Sequence, residues 1–286
     1  MTRWRTHGSP AAFAALAVLA ALVALAVADA VADAAADAGA DARAPQARGA
    51  RPAARYRPQG LSAARADTGK LTREQVLARL AAASEQRPAD LSGADLSGLD
   101  LSGVDFKQAN LSDAKLAGTN FTRAKMFGVT LNRAIARDAD FSNAVLDVAV
   151  MRGTNLTRAK LREASLYATI LIGADLSEAD LTKARVIAAL SDAKLVRTKL
   201  AGVNFGADMG NQPMGLMKTD LTGADLSGAD LSGANLRKVD FTRANLTGAD
   251  LTGADVSGAN FTGAILKSIR GRDKIIGLDK AKNVQF

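Results

Sequence analysis

Residues 89–123 read ADLSG, ADLSG, LDLSG, VDFKQ, ANLSD, AKLAG, TNFTR, and the same five-residue unit continues without a slip to Val186. Each unit has a large apolar residue, which we call position i, two residues after a small one at i−2. Over the twenty units from Leu91 to Val186, position i is Leu, Phe, Met or Val in all but one, and i−2 is Ala in fourteen. A five-residue period would scatter these side chains around an α-helix, whereas i−2 and i share one face of an extended segment. The sequence therefore predicts very short strands separated by bends.

The bends are expected at i+1 and i+2, where Ser-Gly and Thr-Gly are common. If each bend turns the chain by about a right angle, four units close one coil, and coils stack through backbone hydrogen bonds about 4.8 Å apart. Pro213 is the only proline after Pro88, which suits stacked coils that need their N–H donors. Position i then fills the interior, and residues twenty apart become neighbours on the outer surface.

The A-(D/N)-L-x-x units resemble those of the pentapeptide repeat proteins. The resemblance spans about residues 89–266 and implies an all-β fold, a right-handed quadrilateral β-helix with i and i−2 inward and the other three positions outward. It implies little about activity, because one scaffold can carry many functions. Some family members act on DNA gyrase by imitating DNA, and some pair through their carboxyl ends.

The amino-terminal segment, residues 1–30, has the features of an export signal. Two arginines precede the uncharged run Ala11–Val27, and Ala28-Asp29-Ala30 is a small-x-small cleavage pattern. The run also reaches the lower length limit of a membrane span, so an uncleaved anchor is the alternative. In both cases we expect the rest of the chain outside the cytoplasm, periplasmic or secreted. Residues 31–69, rich in Ala, Arg and Pro without apolar periodicity, predict a disordered linker.

A short capping helix is expected within residues 70–88. Thr72 and Gln75 have the spacing of a capping box, and apolar residues follow at helical intervals. We predict the helix over about 73–86, ended by the proline at position 88, with its apolar stripe covering the first coil.

Two departures interrupt the repeat after Val186. One residue is missing near Ile187–Ala189, and Ala207-Asp208-Met209 has the pattern of another short unit. Residues 210–218 (GNQPMGLMK) fit no unit, so we expect a loop that leaves the coil wall. Its apolar tip would be a binding loop, made by Met214, Leu216 and Met217. The alternative is that the insertion folds back to cover an imperfect coil.

Several apolar residues fall at outward positions on two adjoining walls of coils two to five. A patch on the order of several hundred Å² is the scale at which exposed apolar surface marks an interaction site. The alternative is that scattered outward apolar residues are ordinary surface features. The candidate patch consists of Phe127, Val145, Val148, Val150, Tyr167, Ile170, Ile172 and Ile187.

Composition excludes most enzyme chemistry. The chain has no cysteine and a single histidine, His7, so thiolate sites and histidine-based active sites lack material. We expect no enzyme activity, no cofactor and no metal site. Stacked pairs such as Asp220/Asp240 and Asp230/Asp250 could in principle bind a cation, but a repeated Asp or Asn more simply bonds backbone groups at each turn.

The formal charge of +8 is unevenly distributed. The first coil carries four acids and no base, residues 107–218 carry 16 bases against 10 acids, and residues 219–266 carry 3 bases against 6 acids. A DNA mimic needs a continuous negative surface, which the basic middle interrupts, so gyrase interaction is a distant alternative. The basic excess is not interleaved with aromatic residues on one face, and nucleic acid is not expected as a partner.

The tail, residues 267–286, drops the period and has aliphatic residues and Phe286 among six bases. We expect it to cap the last coil, because an open strand edge invites aggregation; a homodimer contact is the alternative. Two functions follow from these patterns. The favoured one is a non-catalytic exported scaffold that binds a protein or envelope component through the patch or the loop. The second is an exported binder of an anionic polymer or membrane surface through the basic middle and tails.

Overall fold

The computed structural model describes residues 69–207 and 217–286. The export signal and linker expected from the sequence lie outside the described residues, as do residues 210–216 of the expected loop. Within the described ranges, no helix combines the length and the hydropathy that crossing a bilayer requires.

The repeats form a β-helix in which successive coils pair in parallel. Asp90 pairs with Asn110, and Asn110 with Thr130, and every i−1 residue of the regular coils continues this twenty-residue step. The expected coil of four units is confirmed. We number the four columns of i−1 residues I to IV, beginning with Asp90, Asp95, Asp100 and Asp105 respectively. Most units pair through one residue only, and the two longer strands are β1 (Ser165–Ile170) and β2 (Arg185–Ala189), which pair in parallel.

The interior is the aliphatic lining that the period predicts. Leu96 and Leu226, one from each half of the array, are both fully buried. Phenylalanines at position i contact each other between units: Phe106 meets Phe121 edge to face with ring centroids 5.6 Å apart, and Phe121 stacks on Phe141 with centroids 4.9 Å apart. Burying each such side chain stabilises the fold by about 1.5–3 kcal/mol. The small residue at i−2 leaves room for these larger neighbours.

The repeated Asp or Asn at i−1 stabilises the bend that follows it. Asp90 Oδ1 accepts the backbone N–H of Ser92 at 3.0 Å, two residues on, and Gly93 then adopts φ +66°. Aspartates of the stacked pairs considered as cation sites make the same contact: Asp220 with Thr222, Asp230 with Ser232, Asp240 with Thr242 and Asp250 with Thr252. The structural interpretation of the Asp columns is therefore confirmed.

The first coil is covered by helix α1 (Arg73–Ala81). Both halves of its capping box are present: the Thr72 hydroxyl accepts the Gln75 N–H, and the Gln75 side chain accepts the Thr72 N–H at 2.8 Å. Val76 and Leu80 are buried against the core.

Helix α1 ends earlier than the predicted residue 86. Ser84 and Arg87 close a tight turn, each donating its N–H to the carbonyl of the other at 3.0–3.1 Å. Those donors and acceptors cannot also continue a helix, so the chain turns into the first coil before it reaches Pro88.

The missing residue is confirmed at the corner between columns IV and I. In the pairing of β1 with β2, Tyr167 lies opposite Ile187, twenty residues on, whereas Thr169 lies opposite Ala188, nineteen residues on. Ala168 therefore has no partner in β2.

Of the predicted short unit Ala207–Met209, only Ala207 lies within the described residues. Ala189 pairs with Asp220, thirty-one residues on, so Asp220 is the first column I residue after Asn204 of column IV. The described chain follows the corner only as far as Ala207, whose N–H donates to the Arg237 carbonyl, and it re-enters the wall at Thr219.

The tail continues the stack of coils although it drops the five-residue period, as expected from the sequence. Arg270, Ile276 and Lys282 pair with the coil beneath them at separations of 20, 21 and 22 residues. The extra residues are absorbed in two short 3₁₀ helices, Arg272–Lys274 and Leu278–Lys280. Ile276 is 55% exposed rather than part of a cap, because its pairing places it at an outward i−1 position.

Candidate interaction surface

Seven of the eight predicted patch residues retain exposed surface. Phe127 is 49% exposed and Val145 is 38% exposed. The half-buried members are Val148, Val150, Tyr167, Ile170 and Ile172. The seven lie on columns IV and I and on the corner between them, except Ile172, which lies on the next corner, after column I. We call these seven residues the corner patch.

Ile187 is a correction to the prediction, because it is only 2% exposed. Strand β2 crosses the corner without the usual two-residue bend, and Val186, Ile187 and Ala188 are buried in succession. With one residue fewer, the chain takes the shorter path across the corner, and position i+1 no longer projects outward.

Tyr167 is held against the wall from two sides. Its backbone N–H donates to Asp147 Oδ1 at 2.9 Å, and the Arg185 guanidinium carbon lies 4.4 Å from the centroid of its ring. Such a cation–π contact stabilises an exposed ring by about 0.5–1 kcal/mol. The ring is thus pre-ordered, with its remaining surface available to a partner.

Two polar residues that the sequence did not single out make the apolar corner possible. In most units the i+1 N–H is bonded by the Asp or Asn at i−1 of the same unit, but Val150 and Ser165 occupy that position here. Asn132 and Asp147, one coil below, supply the acceptors instead, each at 2.9 Å from the N–H twenty residues on. The sequence signal has two parts. A unit lacks Asp or Asn at its own i−1 position, and the unit twenty residues earlier has Asn or Asp at i+1.

Val148 has the conformation least suited to its side chain. It is at φ +63°, the left-handed region that disfavours β-branched residues most strongly. The equivalent residues of column IV include Gly128 and Gly258. A valine costs about 1–2 kcal/mol there. A strained apolar residue within an exposed patch is a pointer to function, since packing does not require it.

The corner patch and the insertion share one edge of the solenoid. Phe127, Asp147, Tyr167, Ile187 and Gly206 are successive i+1 residues of column IV. The described chain stops at Ala207, one residue after Gly206, and resumes at Met217. Of the predicted binding-loop residues, Met217 is half-buried where the chain returns, and Met214 and Leu216 lie outside the described residues.

The basic middle of the array is partly neutralised by ion pairs that run along the axis. Arg133 binds Asp113, and Arg158 binds Asp138, each with two hydrogen bonds of 2.8–2.9 Å between residues one coil apart. Hydrogen bonds and charge from these arginines hold the pKa of the Asp113 and Asp138 carboxyls below their usual value.

The second of these pairs extends into a ladder on the corner after column II. Glu178 lies one coil beyond Arg158, and Arg197 binds Glu178 at 2.5 Å. Hydrogen bonding and charge from Arg197 lower the pKa of Glu178, with a smaller contribution from Arg158. The sequence signal was opposite charge at separations of nineteen or twenty residues. These pairings reduce the cationic surface that the middle coils offer to a polyanion.

Comparison with known proteins agrees with this architecture. The profile of the family described as Pentapeptide repeats matches the chain in eight copies. The matched residues are 89–128, 124–162, 159–187, 216–253 and 229–267, which together cover more than half of the chain. The chain belongs to the pentapeptide repeat family. Proteins of this family are generally structural or interaction modules rather than enzymes. A search of curated proteins found no match.

Solved structures of pentapeptide repeat proteins resemble the chain in part. HetL of the cyanobacterium Nostoc sp. strain PCC 7120, described as involved in heterocyst differentiation regulation, is 33% identical over 64% of this chain and 80% of its own, with a TM-score of 0.25. A protein of the Arabidopsis thaliana thylakoid lumen is 30% identical over 49% and 70%, with a TM-score of 0.27. QnrB1, described as a plasmid-mediated fluoroquinolone resistance protein, is 20% identical over 59% and 92%, with a TM-score of 0.29.

Proposed function

We propose that this pentapeptide repeat protein is a non-catalytic interaction scaffold and that the corner patch is its partner-binding surface. The observation that carries the proposal is the run of exposed and half-buried apolar residues on one edge, with Phe127 and Val145 the most exposed. Apolar patches of this kind on a soluble domain usually mark contacts with another macromolecule. The strained Val148 and the pre-ordered Tyr167 ring support the same proposal.

The insertion belongs to the same proposed surface. Ala207, which precedes the insertion, lies on the edge that bears Phe127 and Tyr167, so an extended partner lying along this edge would reach both the corner patch and the insertion. We propose that the loop tip, Met214 and Leu216, extends the apolar contact beyond the wall.

The experiment is crosslinking of the exported protein in its native cell, followed by identification of the attached species. Phe127→Ser together with Val145→Ser should abolish the main crosslinked adduct while leaving the melting temperature nearly unchanged, because both side chains are largely exposed. The matched control is Ile135→Ser, another exposed aliphatic residue, which lies in column II. Adducts that persist in the double variant, or are lost equally in the control, would contradict the proposal.

We propose further that the scaffold acts outside the cytoplasm and winds as a right-handed four-sided coil. The basic, apolar and small-x-small succession in residues 1–30 supports export. Amino-terminal sequencing of the protein recovered from the envelope fraction tests this. A new amino terminus near Val31 is expected for a cleaved signal, an intact terminus in the membrane fraction indicates the anchor, and recovery from the cytoplasm overturns export.

A second candidate function, binding of an anionic polymer or membrane surface, is favoured by a separate observation. Residues 267–286 carry six Lys or Arg against two Asp. Because ion pairs neutralise part of the basic middle, we assign this candidate to the carboxyl-terminal end alone.

A further inference from the structure

The carboxyl-terminal coil holds three of the seven large apolar side chains that are exposed among the described residues. Ile265 is 52%, Ile276 55% and Phe286 49% exposed. The aliphatic residues that close the end of the core, Ile269, Ile275, Leu278 and Val284, are only partly buried. Ile265 belongs to column II and Ile276 to column IV, so apolar surface is present on different columns of this terminal coil.

The same coil carries a net positive charge, with six bases against the two acids Asp273 and Asp279. Its bases are Lys267, Arg270, Arg272, Lys274, Lys280 and Lys282. Arg270 lies 3.6 Å from Asp250 of the coil beneath. The other tail bases are exposed. Basic and apolar groups therefore alternate around one end of the solenoid.

One open cavity combines both kinds of group. It has a volume of about 610 Å³ and lies between residues 264–269 and the end of the chain. Arg272 and Phe286 line this cavity, and the Arg272 guanidinium carbon lies 3.7 Å from the centroid of the Phe286 ring. Ile265 and Leu266 line it together with Lys267, so an anionic headgroup beside the cations would place hydrocarbon against the aliphatic groups.

We propose that this terminal coil docks end-on to an anionic lipid bilayer, with phosphate headgroups bound by the tail bases and Ile265, Ile276 and Phe286 entering the interface. Interfacial binding depends on this combination of buried apolar area and electrostatic attraction. Each base near an anionic surface contributes about 1 kcal/mol. Phenylalanine is one of the residues typical of the apolar face of interfacial segments, and Phe286 lies beside Arg272.

The charges of the molecule favour this occupant over the alternatives. Two copies meeting at this end would bring two sets of six bases together, which like-charge repulsion opposes. A soluble polyanion would use the bases but leave the apolar residues in water. Residues 219–266, with 6 acids against 3 bases, lie directly beneath the terminal coil and would be repelled by an anionic surface, which favours end-on over side-on docking.

The test uses the full chain, whose lack of cysteine allows one probe site at a time. An environment-sensitive fluorophore is attached at Gln285→Cys in the terminal coil, or at Ala78→Cys on α1 at the other end of the array. Vesicles are made of phosphatidylcholine alone or with 30 mol% phosphatidylglycerol. The local readout separates docking by the terminal coil from any binding by residues 11–27. A blue shift at position 285 only, with anionic vesicles only, is expected. Equal shifts at both positions, or with neutral vesicles, would overturn the proposal.

Variants in the Gln285→Cys background separate the contributions. Lys280→Glu with Lys282→Glu should weaken binding at least tenfold, whereas the same charge change in Lys115→Glu with Lys194→Glu, on column II, should not. Ile265→Ser with Ile276→Ser should weaken binding about fivefold or more, because apolar insertion is lost. If polyphosphate competes fully and the serine variant binds like the parent, the site is one for soluble polyanions, and the proposal fails. A concentration-dependent dimer that excludes vesicles would also refute it. These variants leave the corner patch untouched, so failure here is independent of the partner-binding proposal.

Discussion

The uninterrupted coils up to Val186 and the shortened corner at Ile187–Ala189 are built from the same unit but expose different side chains. In the uninterrupted part, an apolar i+1 residue such as Phe127 projects outward. Three coils later in the same column, Ile187 is buried because its corner is one residue short. The exposure of an i+1 side chain therefore depends on whether its own corner has the usual two-residue bend and not on the residue type.

The largest effect should come from a polar replacement at the shortened corner. Ile187→Ser removes a buried aliphatic side chain and buries a hydroxyl, and it should lower the free energy of unfolding by about 3–5 kcal/mol. Ile172→Ser, on the regular wall nearby, should cost about 1 kcal/mol or less because its side chain is half-buried. Urea unfolding followed by circular dichroism measures both. Equal losses would mean that the two regions do not differ in burial.

A smaller effect of opposite sign is expected within the regular coils. Val148→Asn should raise the free energy of unfolding by about 0.5–1 kcal/mol, because asparagine tolerates the left-handed conformation better than valine does. The same replacement at Val145, which does not have a positive φ, should give no such gain. If Val148 is retained for binding, the more stable variant should also lose partner crosslinks. A loss of stability on Val148→Asn would show that valine packing outweighs the strain.

The smallest effect concerns the ion-pair ladder. The lowered pKa of Asp138 means that its carboxylate stabilises the fold at pH values above its unfolded pKa of about 4, and that this contribution is lost as pH falls through the lower folded value. Asp138→Asn should therefore be less stable than the parent at pH 7, and the difference should shrink below pH 4. Because the pair is exposed, 1 M salt should also shrink the difference at pH 7. A difference independent of both pH and salt would assign the effect to packing.

Much of the fold could be predicted because the repeat pattern is determined by residues that are close together in the sequence. Alternation of i−2 and i placed Leu96 and Leu226 inside, and the Asp or Asn at i−1 indicated a bonded bend. The deleted residue was visible as a break in the period. The end of α1 at Ala81 could not be predicted, because it depends on the turn from Ser84 to Arg87. The outward position of Ile276 could not be predicted either, because it depends on pairing with Asp255.

The candidate surfaces were predictable to a different extent. Seven residues of the corner patch followed from the twenty-residue coil, whereas the supporting contacts of Asn132 and Asp147 required knowledge of the coil above each one. The basic tail was evident from composition. Its exposed apolar rim was not, because the pattern alone favoured a closed cap.

The five-residue pattern alone separated the inward positions i−2 and i from the outward positions of the regular units, because that choice depends on contacts within five residues of chain. The burial of Ile187, the pairing of Arg158 with Asp138, and the exposure of Ile276 were decided by the stacking of coils. Each of these features depends on a residue about twenty positions away whose height and orientation are set by every bend between. A single residue added or lost changes which side chains meet without changing the local pattern.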